Sequence, residues 1–422
     1  HMLVQRDNYE VHVYEKRDDL RKADPKSLRT YPIGLQQRGL QAADPELQEA
    51  LFEAGNWING VALQGKYPKK MSRTPSLYLD RNLIVYTMLN HITKDTTQGE
   101  GSSLHLHFEH TIEAIEIGEK VIYVTDNRTN VGDYVSFDAL VAADGANSII
   151  RSWLVEEGEM DVVEEPVPNH YRTFSIPLTS YDGSIVLDDD KVHGWMFGPK
   201  TVLMVPSKSG FASGVFIYPV GEDPIKDMKT TQEVRGYFNQ LSGESLAKFI
   251  SDEEAEVLLT RPVNYAKTAQ CDKLHANDCI LFLGDAAHSV SAAVGQACNA
   301  AMQDVEVFMK ALDKNNDDWY QALVTFSETR IHDVHALHQL SDYSMPPKDV
   351  FLQTEFILRS VSKKLLPEMI TKHMNALPNE LLSTTNLSYS EIWEQTRWWT
   401  EKVRNARLRE LRAKELESMA VA

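Results

Sequence analysis

The sequence predicts a mixed α/β protein with two domains and a helical carboxyl-terminal part. The first observation is length, since 422 residues exceed what one compact core normally holds. The second is a β-rich texture between about 160 and 265, where short apolar runs alternate with Gly, Pro, Ser and Asp. The third is a similar strand style on both sides of that segment. The predicted parts are a discontinuous domain at 1–160 and 265–330, an inserted antiparallel β-sheet domain at 161–264, and a helical region at 331–422.

The amino-terminal part reads as strands with a helix between them. Residues 11–15 alternate as a short strand that ends in the acidic Glu15. Residues 28–58 read as loop and helix, with Leu40, Leu47 and Leu51 on one face. Further strands are predicted at 104–108, 111–117, 121–124 and 137–145, the last of them a buried strand that ends at a turn.

The later segments follow the same logic. Within the inserted domain, strands are predicted at 170–176, 194–197, 201–205 and 214–218. Residues 279–283 return to the buried-strand style of the first domain. After Gln296, apolar residues recur at the helical period from Ala301 to Leu312, and helical texture continues almost to the end.

Composition excludes several classes of function. The net charge of −18 argues against nucleic-acid binding, because a polyanion would be repelled. The three cysteines lack metal-type spacing and are expected to be buried thiols in a cytoplasmic or other reducing intracellular compartment. No apolar run approaches the roughly 18 residues needed to span a bilayer. The sequence does not indicate an oligomeric state.

The strongest motif covers residues 281–304. A buried strand leads into Gly284 and Asp285, at the carboxyl end where ligands collect in α/β sheets. A carboxylate at this position can accept hydrogen bonds from a sugar-like chain such as ribityl. Gly295 and Gln296 then open a helix whose amino-terminal N–H groups favour a ring that becomes negatively charged on reduction.

This motif resembles the ribityl and isoalloxazine motif of class A flavoprotein monooxygenases, the para-hydroxybenzoate hydroxylase fold. Residues 138–151 resemble that family's Asp-Gly motif, and residues 79–84 its Arg-x-x-Leu segment. The resemblance implies an FAD-binding, Rossmann-like domain. The FAD-binding residues that it implies are Glu15, Arg38, Arg81, Asp144, Gly145, Gly284, Asp285, Gly295, Gln296, Ala297 and Asn299.

Within this family the chain is similar to kynurenine 3-monooxygenases. Residues 28–39, 193–206 and 326–331 resemble three stretches of those enzymes. The substrate-binding candidates that follow are Arg73, Tyr78, His193 and Trp195. The arginine that pairs with the substrate carboxylate in kynurenine hydroxylases would fall near residues 59–61, where this sequence has none.

The resemblance also implies the chemistry. NADPH or NADH reduces FAD, a flavin C4a-hydroperoxide forms with O2, and its distal oxygen attacks a small aromatic, kynurenine- or indole-like substrate. Because the cofactor carries this reaction, no catalytic side chain is assigned. The alternative is a non-catalytic relative with an impaired FAD site that binds a ligand or a protein partner.

Two departures from the family support that alternative. The amino-terminal Gly-x-Gly-x-x-Gly is absent, and from the family's usual spacing we expect about 25 to 30 residues of the first strand, glycine loop and helix to be missing upstream of Leu3. The sequence leaves open whether the natural protein contains this segment or has diverged. Ala297 stands where a glycine is usual, and its methyl group matters only if the residue needs a positive φ.

Histidine patterns and the last helix complete the analysis. His105, His107 and His110 alternate as expected for a half-exposed strand, and His332, His335 and His338 as expected for a solvated helix face, so no metal site is predicted. The segment from Trp393 to Arg412 is amphipathic and basic. It suits either a membrane interface or packing of its tryptophans on the protein's own core, and we expect the latter.

Overall fold

The computed structural model describes residues 1–22, 31–65, 69–94, 100–242, 245–347, 349–365 and 374–421. The β-strands are β1 Glu10–Glu15, β2 Pro32–Leu35, β3 Asn56–Leu63, β4 Lys69–Asp80, β5 Ser103–Phe108, β6 His110–Glu116, β7 Val121–Asp126, β8 Val131–Ser136, β9 Leu140–Ala142, β10 Val162–Pro166, β11 Asn169–Pro177, β12 Lys191–Phe197, β13 Lys200–Pro206, β14 Phe211–Pro219, β15 Lys267–Cys271, β16 His275–Ala276 and β17 Ile280–Phe282.

The helices alternate with these strands in the first two thirds of the chain and dominate the last third. They are α1 Gln37–Leu40, α2 Pro45–Ala54, α3 Arg81–Lys94, α4 Ile149–Glu156, α5 Thr231–Ser242, α6 Asp252–Thr260, α7 Asp285–His288, α8 Ala297–Lys314, α9 Trp319–Tyr343, α10 Val350–Leu365, α11 Pro378–Thr384 and α12 Tyr389–Val421. In the described part of the chain, a search for helices with the length and apolarity of a membrane span finds none.

The chain divides into two compact units. The first contains His1–Leu140 and Pro166–Ala266, and the second contains Val141–Glu165 and Lys267–Ala422. The segment predicted as an inserted domain therefore shares a unit with the amino-terminal part. The reason is one strand pairing: β12 runs parallel to β3, with Lys191 opposite Gly60, so a single sheet contains strands of both segments. The assignment of FAD-binding and substrate-binding domains stays a prediction.

The first unit is built around a seven-stranded sheet of order β11-β14-β13-β12-β3-β4-β2. Helices α5 and α6 pack on one part of it, where Phe174, Trp195, Phe216 and Phe238 form a buried apolar core. The predicted antiparallel strands of the insertion are confirmed. The reading of 28–58 as loop and helix was incomplete, because it contains β2 and the beginning of β3 as well as α2.

The second unit is mainly helical. A three-stranded sheet of order β16-β17-β9 carries the loop that precedes α7. The long helices α8, α9 and α12 surround a core that includes Ala300, Leu337 and Tyr389. The helical carboxyl-terminal part and the mixed α/β class are thus confirmed.

Two sequence predictions about helices can be checked here. The expected packing of the tryptophans of α12 is confirmed for Trp399, which is fully buried and donates its indole N–H to the Ser344 carbonyl at 2.8 Å. The expected solvated face of α9 is wrong for His335 and His338. His338 is buried, and His335 lies within hydrogen-bonding distance of the Cys271 carbonyl, because this face of α9 contacts β15 and β16.

Candidate cofactor site

The turn at Gly284 places Asp285 at the end of a buried strand. The N–H of Leu283 donates to the Ala142 carbonyl at 3.1 Å, so the ends of β17 and β9 lie side by side. Gly284 has φ +57°, and a Cβ on it would lie 2.9 Å from the Cβ of Ala301. Only glycine suits both restrictions. The turn leaves Asp285 exposed as the first residue of α7.

The buried carboxylate of Asp304 stabilises this turn. Asp304 accepts hydrogen bonds from the Gly284 N–H at 2.9 Å, and it lies 2.6 Å from His288 Nε2 and 2.8 Å from Arg330 Nε. Burial alone would raise the pKa of Asp304. The charges of His288 and Arg330, together with the hydrogen bonds, outweigh that effect and hold the pKa below its usual value.

Arg330 extends the network to other helices. Its guanidinium also donates to the Ala300 carbonyl at 3.2 Å and to Asp333 at 3.0 Å. Asp333 in turn accepts from the N–H and hydroxyl of Ser390 at 3.0 and 2.6 Å. Helices α7, α8, α9 and α12 are therefore joined by one chain of charge-assisted hydrogen bonds.

A second buried arginine joins the two predicted motifs of this unit. Arg151 is 1% exposed and donates to the carbonyls of Ala286 and Ala146, each at 2.6 Å. It also forms an ion pair with Glu164 at 2.7 Å. The loop after β9 and the helix after β17 are consequently held in register by one side chain.

Asp144 and Gly145 lie in that loop after β9. An oxygen of Asp144 accepts from the backbone N–H of Ile149 at 2.8 Å and of Ile150 at 3.4 Å, so this carboxylate caps α4. Gly145 has φ +86°, which allows the chain to turn. The two residues are brought near Asp285 through Arg151, while their contact with a cofactor stays a prediction.

The beginning of α8 contains the other predicted residues of this unit. Gly295 is left-handed at φ +65°, and Gln296 is buried at the N-cap, where its side chain makes no capping hydrogen bond within the described chain. Asn299 donates to the Gly295 carbonyl at 3.4 Å. Ala297 is the first residue of α8 and is not among the residues with positive φ, so its methyl group imposes no backbone strain.

Three predicted residues belong to the first unit. Glu15 ends β1, and both of its oxygens accept from the Arg17 guanidinium, at 2.9 and 3.0 Å. Burial alone would raise the pKa of Glu15, but Arg17 lowers it overall. Arg38 is buried in α1, and Arg81 begins α3 with its N–H on the Tyr31 carbonyl. The lone pairs of the Glu15 carboxylate that Arg17 does not use are the acceptors that the predicted contact with a ribose requires.

Two of the substrate candidates lie inside the first unit. His193 is fully buried, with one ring nitrogen 2.8 Å from the Gln64 amide and the other 2.8 Å from the Asp188 carbonyl. Burial is the main cause that lowers its pKa. Trp195 is 1% exposed and belongs to the apolar core. Both side chains stabilise β12, and their contact with substrate stays a prediction.

The other two candidates lie on β4. Tyr78 is half-buried opposite Gly34 and Asn56, whereas the side chain of Arg73 lies outside the described part of the structure. At the end of the same strand, Asp80 accepts from the Ser213 hydroxyl at 3.3 Å, and burial raises its pKa. Asp80 was not predicted, although it directly precedes Arg81 in the motif.

Comparison with known proteins identifies the family. Residues 33–324, which are more than half of the chain, match the family described as FAD binding domain. The chain belongs to this FAD-binding family. Together with the relatives and solved structures described next, this match confirms the class inferred from the motifs, the FAD-dependent aromatic monooxygenases, and FAD as the cofactor of this flavoprotein enzyme.

Curated relatives of this flavoprotein include kynurenine 3-monooxygenases. The enzyme of Sus scrofa is 25% identical over 409 residues, which cover 95% of this chain and 84% of the relative. The enzyme of Flavobacterium psychrophilum is 23% identical, and the aligned residues cover 81% of this chain and 75% of the relative.

Among solved structures, 2-methyl-3-hydroxypyridine-5-carboxylic acid oxygenase is 15% identical with a TM-score of 0.61 and covers 88% of each chain. HpxO of Klebsiella pneumoniae, complexed with FAD, is 16% identical with a TM-score of 0.61 and covers 88% of this chain and 91% of its own. At these identities the solved structures confirm the fold alone.

The residues of the second unit fit FAD. Gly284 leaves no room for a side chain of its own, and a Cβ on Gly295 would meet nothing within 4 Å, so the backbone is open to a close ligand at that loop. The exposed Asp285 can accept hydrogen bonds from the hydroxyl groups of a ribityl chain. The eighteen-residue α8 directs its positive end at the same loop.

The residues that hold this site in shape were not predicted as site residues. Arg151, Asp304 and Arg330 stood inside the motifs that carried the family resemblance. Arg151 and Asp304 contact the backbone of the loops, whereas Arg330 contacts Asp304 and the Ala300 carbonyl of α8. Three large polar residues at helix positions that otherwise carry apolar side chains were the available signal, because buried charges require partners.

Proposed function

We propose that this flavoprotein hydroxylates a small aromatic substrate, kynurenine- or indole-like, with NADPH or NADH and O2. The observation that carries the proposal is the turn at Gly284, which holds Asp285 exposed and lies against Ala301 near the amino terminus of α8. The named kynurenine 3-monooxygenases, about a quarter identical over nearly the whole chain, support the choice of substrate class. When bound, FAD supplies electron transfer from NADPH or NADH and the activation of oxygen.

The protein's own contribution in the second unit is orientation and electrostatics. Asp285 would hold the ribityl chain, and the N–H groups at the start of α8 would stabilise negative charge at the ring edge. The network behind them is buried, and its hydrogen bonds hold the side chains of Asp304 and Arg330 in one orientation. Such preorganised dipoles cost no rearrangement at the moment of reaction.

In the first unit the proposed substrate residues would have two different roles, direct contact with the substrate and positioning of a strand. Tyr78 and Arg73, both on β4, are candidates for direct contact with the substrate. His193 and Trp195 would act by fixing the position of β12, since the ring nitrogens of His193 are engaged by Gln64 and Asp188. A neutral imidazole suits that role, in agreement with its lowered pKa.

The test uses the purified full chain incubated with FAD. After removal of free FAD, a flavin absorption spectrum shows binding. Oxidation of NADPH or NADH is then followed with and without L-kynurenine, anthranilate and indole-3-acetate, and products are analysed by mass spectrometry. Stimulated oxidation with a product heavier by one oxygen supports the proposal.

Three outcomes would contradict the proposal. If the chain binds FAD but no aromatic compound stimulates oxidation, a different substrate class is required. If the chain does not bind FAD at all, the alternative of a relative with an impaired site is favoured. Uncoupled oxidation without an oxygenated product would indicate an oxidase instead.

A further inference from the structure

Strands β1 and β5 of the first unit bring two sets of polar side chains onto one face. The strands are parallel and in register, with Glu10 opposite Ser103 and His12 opposite His105. Since alternate residues of a strand share a face, Glu10 and His12 project beside His105 and His107. The histidines of β5 alone suggested an ordinary half-exposed strand, and the pairing with β1 adds a carboxylate and a third imidazole.

The ligand atoms of three of these residues converge. An oxygen of Glu10 lies 3.1 Å from Nε2 of His12 and 3.5 Å from Nε2 of His105. One oxygen and two ring nitrogens from this set all lie within 4.8 Å of one another. The rings of His12 and His105 are stacked, with centroids 4.5 Å apart. All three residues are exposed and open to solvent ions.

These separations suit a tetrahedral metal centre. With metal–nitrogen and metal–oxygen bonds of about 2.0–2.2 Å, neighbouring ligands of a tetrahedron are about 3.4 Å apart. Both oxygen-to-nitrogen distances at Glu10 are near that value, so a small rotation of the two rings completes the arrangement. Two imidazoles and one carboxylate leave a fourth position for water. Imidazole ligands favour zinc, copper, nickel and similar ions over magnesium or calcium.

A fourth residue orients one of the ligands. Nδ1 of His12 lies 3.0 Å from Nε2 of His107, which is close enough for a hydrogen bond. This contact fixes the ring of His12 with its other nitrogen toward Glu10. Metal-binding histidines in proteins are commonly oriented by such a second contact.

We propose that Glu10, His12 and His105 form a binding site for a divalent transition-metal cation such as Zn²⁺. The ion joins two strands whose ligands are 93 residues apart in the chain. It therefore acts as a clip between β1 and β5 of the first unit. This site is independent of the flavin chemistry, because it needs neither FAD nor an aromatic substrate.

The test is titration of the chelator-treated full chain with Zn²⁺ in a calorimeter, together with thermal unfolding. We expect saturable binding and a higher melting temperature with Zn²⁺ than with Mg²⁺. His12→Ala and His105→Ala each weaken binding at least about 10-fold. The matched control is His110→Ala, because His110 contacts the Phe108 carbonyl and the ring of His107 but supplies no atom to the set of Glu10, His12 and His105, so its removal leaves binding unchanged.

A second cluster must be separated from the first. His1, Asp44 and His91 also bring three ligand atoms within 4.8 Å. The variant His91→Gln removes a member of that cluster and retains Zn²⁺ binding if the proposal is correct. The proposal is overturned if His91→Gln abolishes binding, if His12→Ala and His105→Ala leave it unchanged, or if no binding occurs up to about 1 mM Zn²⁺. Far-UV circular dichroism verifies folding, and Glu10→Gln provides an independent test with minimal change of shape.

Discussion

The side chains of Asp304 and Arg330 form an ion pair that is almost completely shielded from water. Arg330 Nε donates to Asp304 Oδ1 at 2.8 Å, and the side chains are 2% and 1% exposed for Arg330 and Asp304, respectively. Neither charge would be stable there alone, since isolated buried charges are costly. The carboxylate of Asp304 therefore stays ionised, and its other oxygen accepts a hydrogen bond from the N–H of Gly284.

Removal of Arg330 should strongly destabilise the protein. Arg330→Met leaves the buried carboxylate of Asp304 with His288 but without the guanidinium, and we expect a loss of about 3–5 kcal/mol in the free energy of unfolding. Chemical denaturation measures this loss. The control is Arg235→Met, which breaks an exposed pair with Asp252 and should cost less than about 1 kcal/mol. Equal effects of the two variants would show that the buried network has no special weight.

Gly284 should not tolerate a side chain. Gly284→Ala requires an alanine at φ +57° and places a methyl group 2.9 Å from Ala301, so we expect destabilisation of about 1–3 kcal/mol and weaker FAD binding. Gly118→Ala is the control, because a Cβ there meets nothing within 4 Å and φ is not left-handed. Denaturation and FAD titration report the two effects. A Gly284→Ala protein that matches Gly118→Ala in both would refute the geometry of this turn.

Asp285 should contribute to FAD binding more than to stability. Asp285 is exposed, so Asp285→Asn should change the free energy of unfolding little. A charged hydrogen bond to a ribityl hydroxyl is worth about 1.5–3 kcal/mol, which corresponds to a Kd about 10- to 100-fold higher in the variant. Flavin fluorescence measures the Kd. Asp313→Asn, at the exposed far end of α8, should leave it unchanged, and the same Kd in both variants would exclude Asp285 as a ligand.

His338 should make the protein less stable in mild acid. Burial, followed by the nearby charge of His288, lowers the pKa of His338 from 6.5 to about 4. Between these values the unfolded chain binds a proton that the folded chain does not. Stability therefore falls as the pH decreases from about 6.5 to 4, by up to about 3 kcal/mol from this group.

The variant His338→Gln should remove that part of the pH dependence. Denaturation at pH 4.5 and pH 7 gives the difference for each protein. His332→Gln, on the exposed side of the same helix, should keep the wild-type difference. If His338→Gln and wild type lose the same stability between the two pH values, other groups cause the acid sensitivity.

The parts of the site that could be predicted are those that short stretches of sequence determine. Gly284 and Asp285 follow a continuous apolar run, so their place at the end of a strand was readable. Asp304 and Arg330 lie at the apolar period of their helices, which indicates that both side chains point inward but not which residue each one meets. Their pairing depends on how α8 and α9 pack, which local sequence does not specify.

The pairing of strands could not be predicted from local sequence either. The strands at 11–15 and 104–108 were predicted and are confirmed, but their parallel register was not, because it joins positions 93 residues apart. The shared sheet of β3 and β12 was also missed, and the predicted inserted segment therefore seemed separable. Long-range pairing reflects the packing of whole sheets rather than local propensity.

Ala297 has a consequence for how such proteins are recognised. Because it begins α8 with ordinary helical geometry, a glycine at this position has no conformational advantage over alanine. Substitution of glycine by alanine, or of alanine by glycine, at this position therefore causes no backbone strain. A motif search that requires glycine at position 297 would overlook related proteins whose loop has kept its shape. Gly284 has a left-handed φ and a close neighbour, so a search should require glycine there instead.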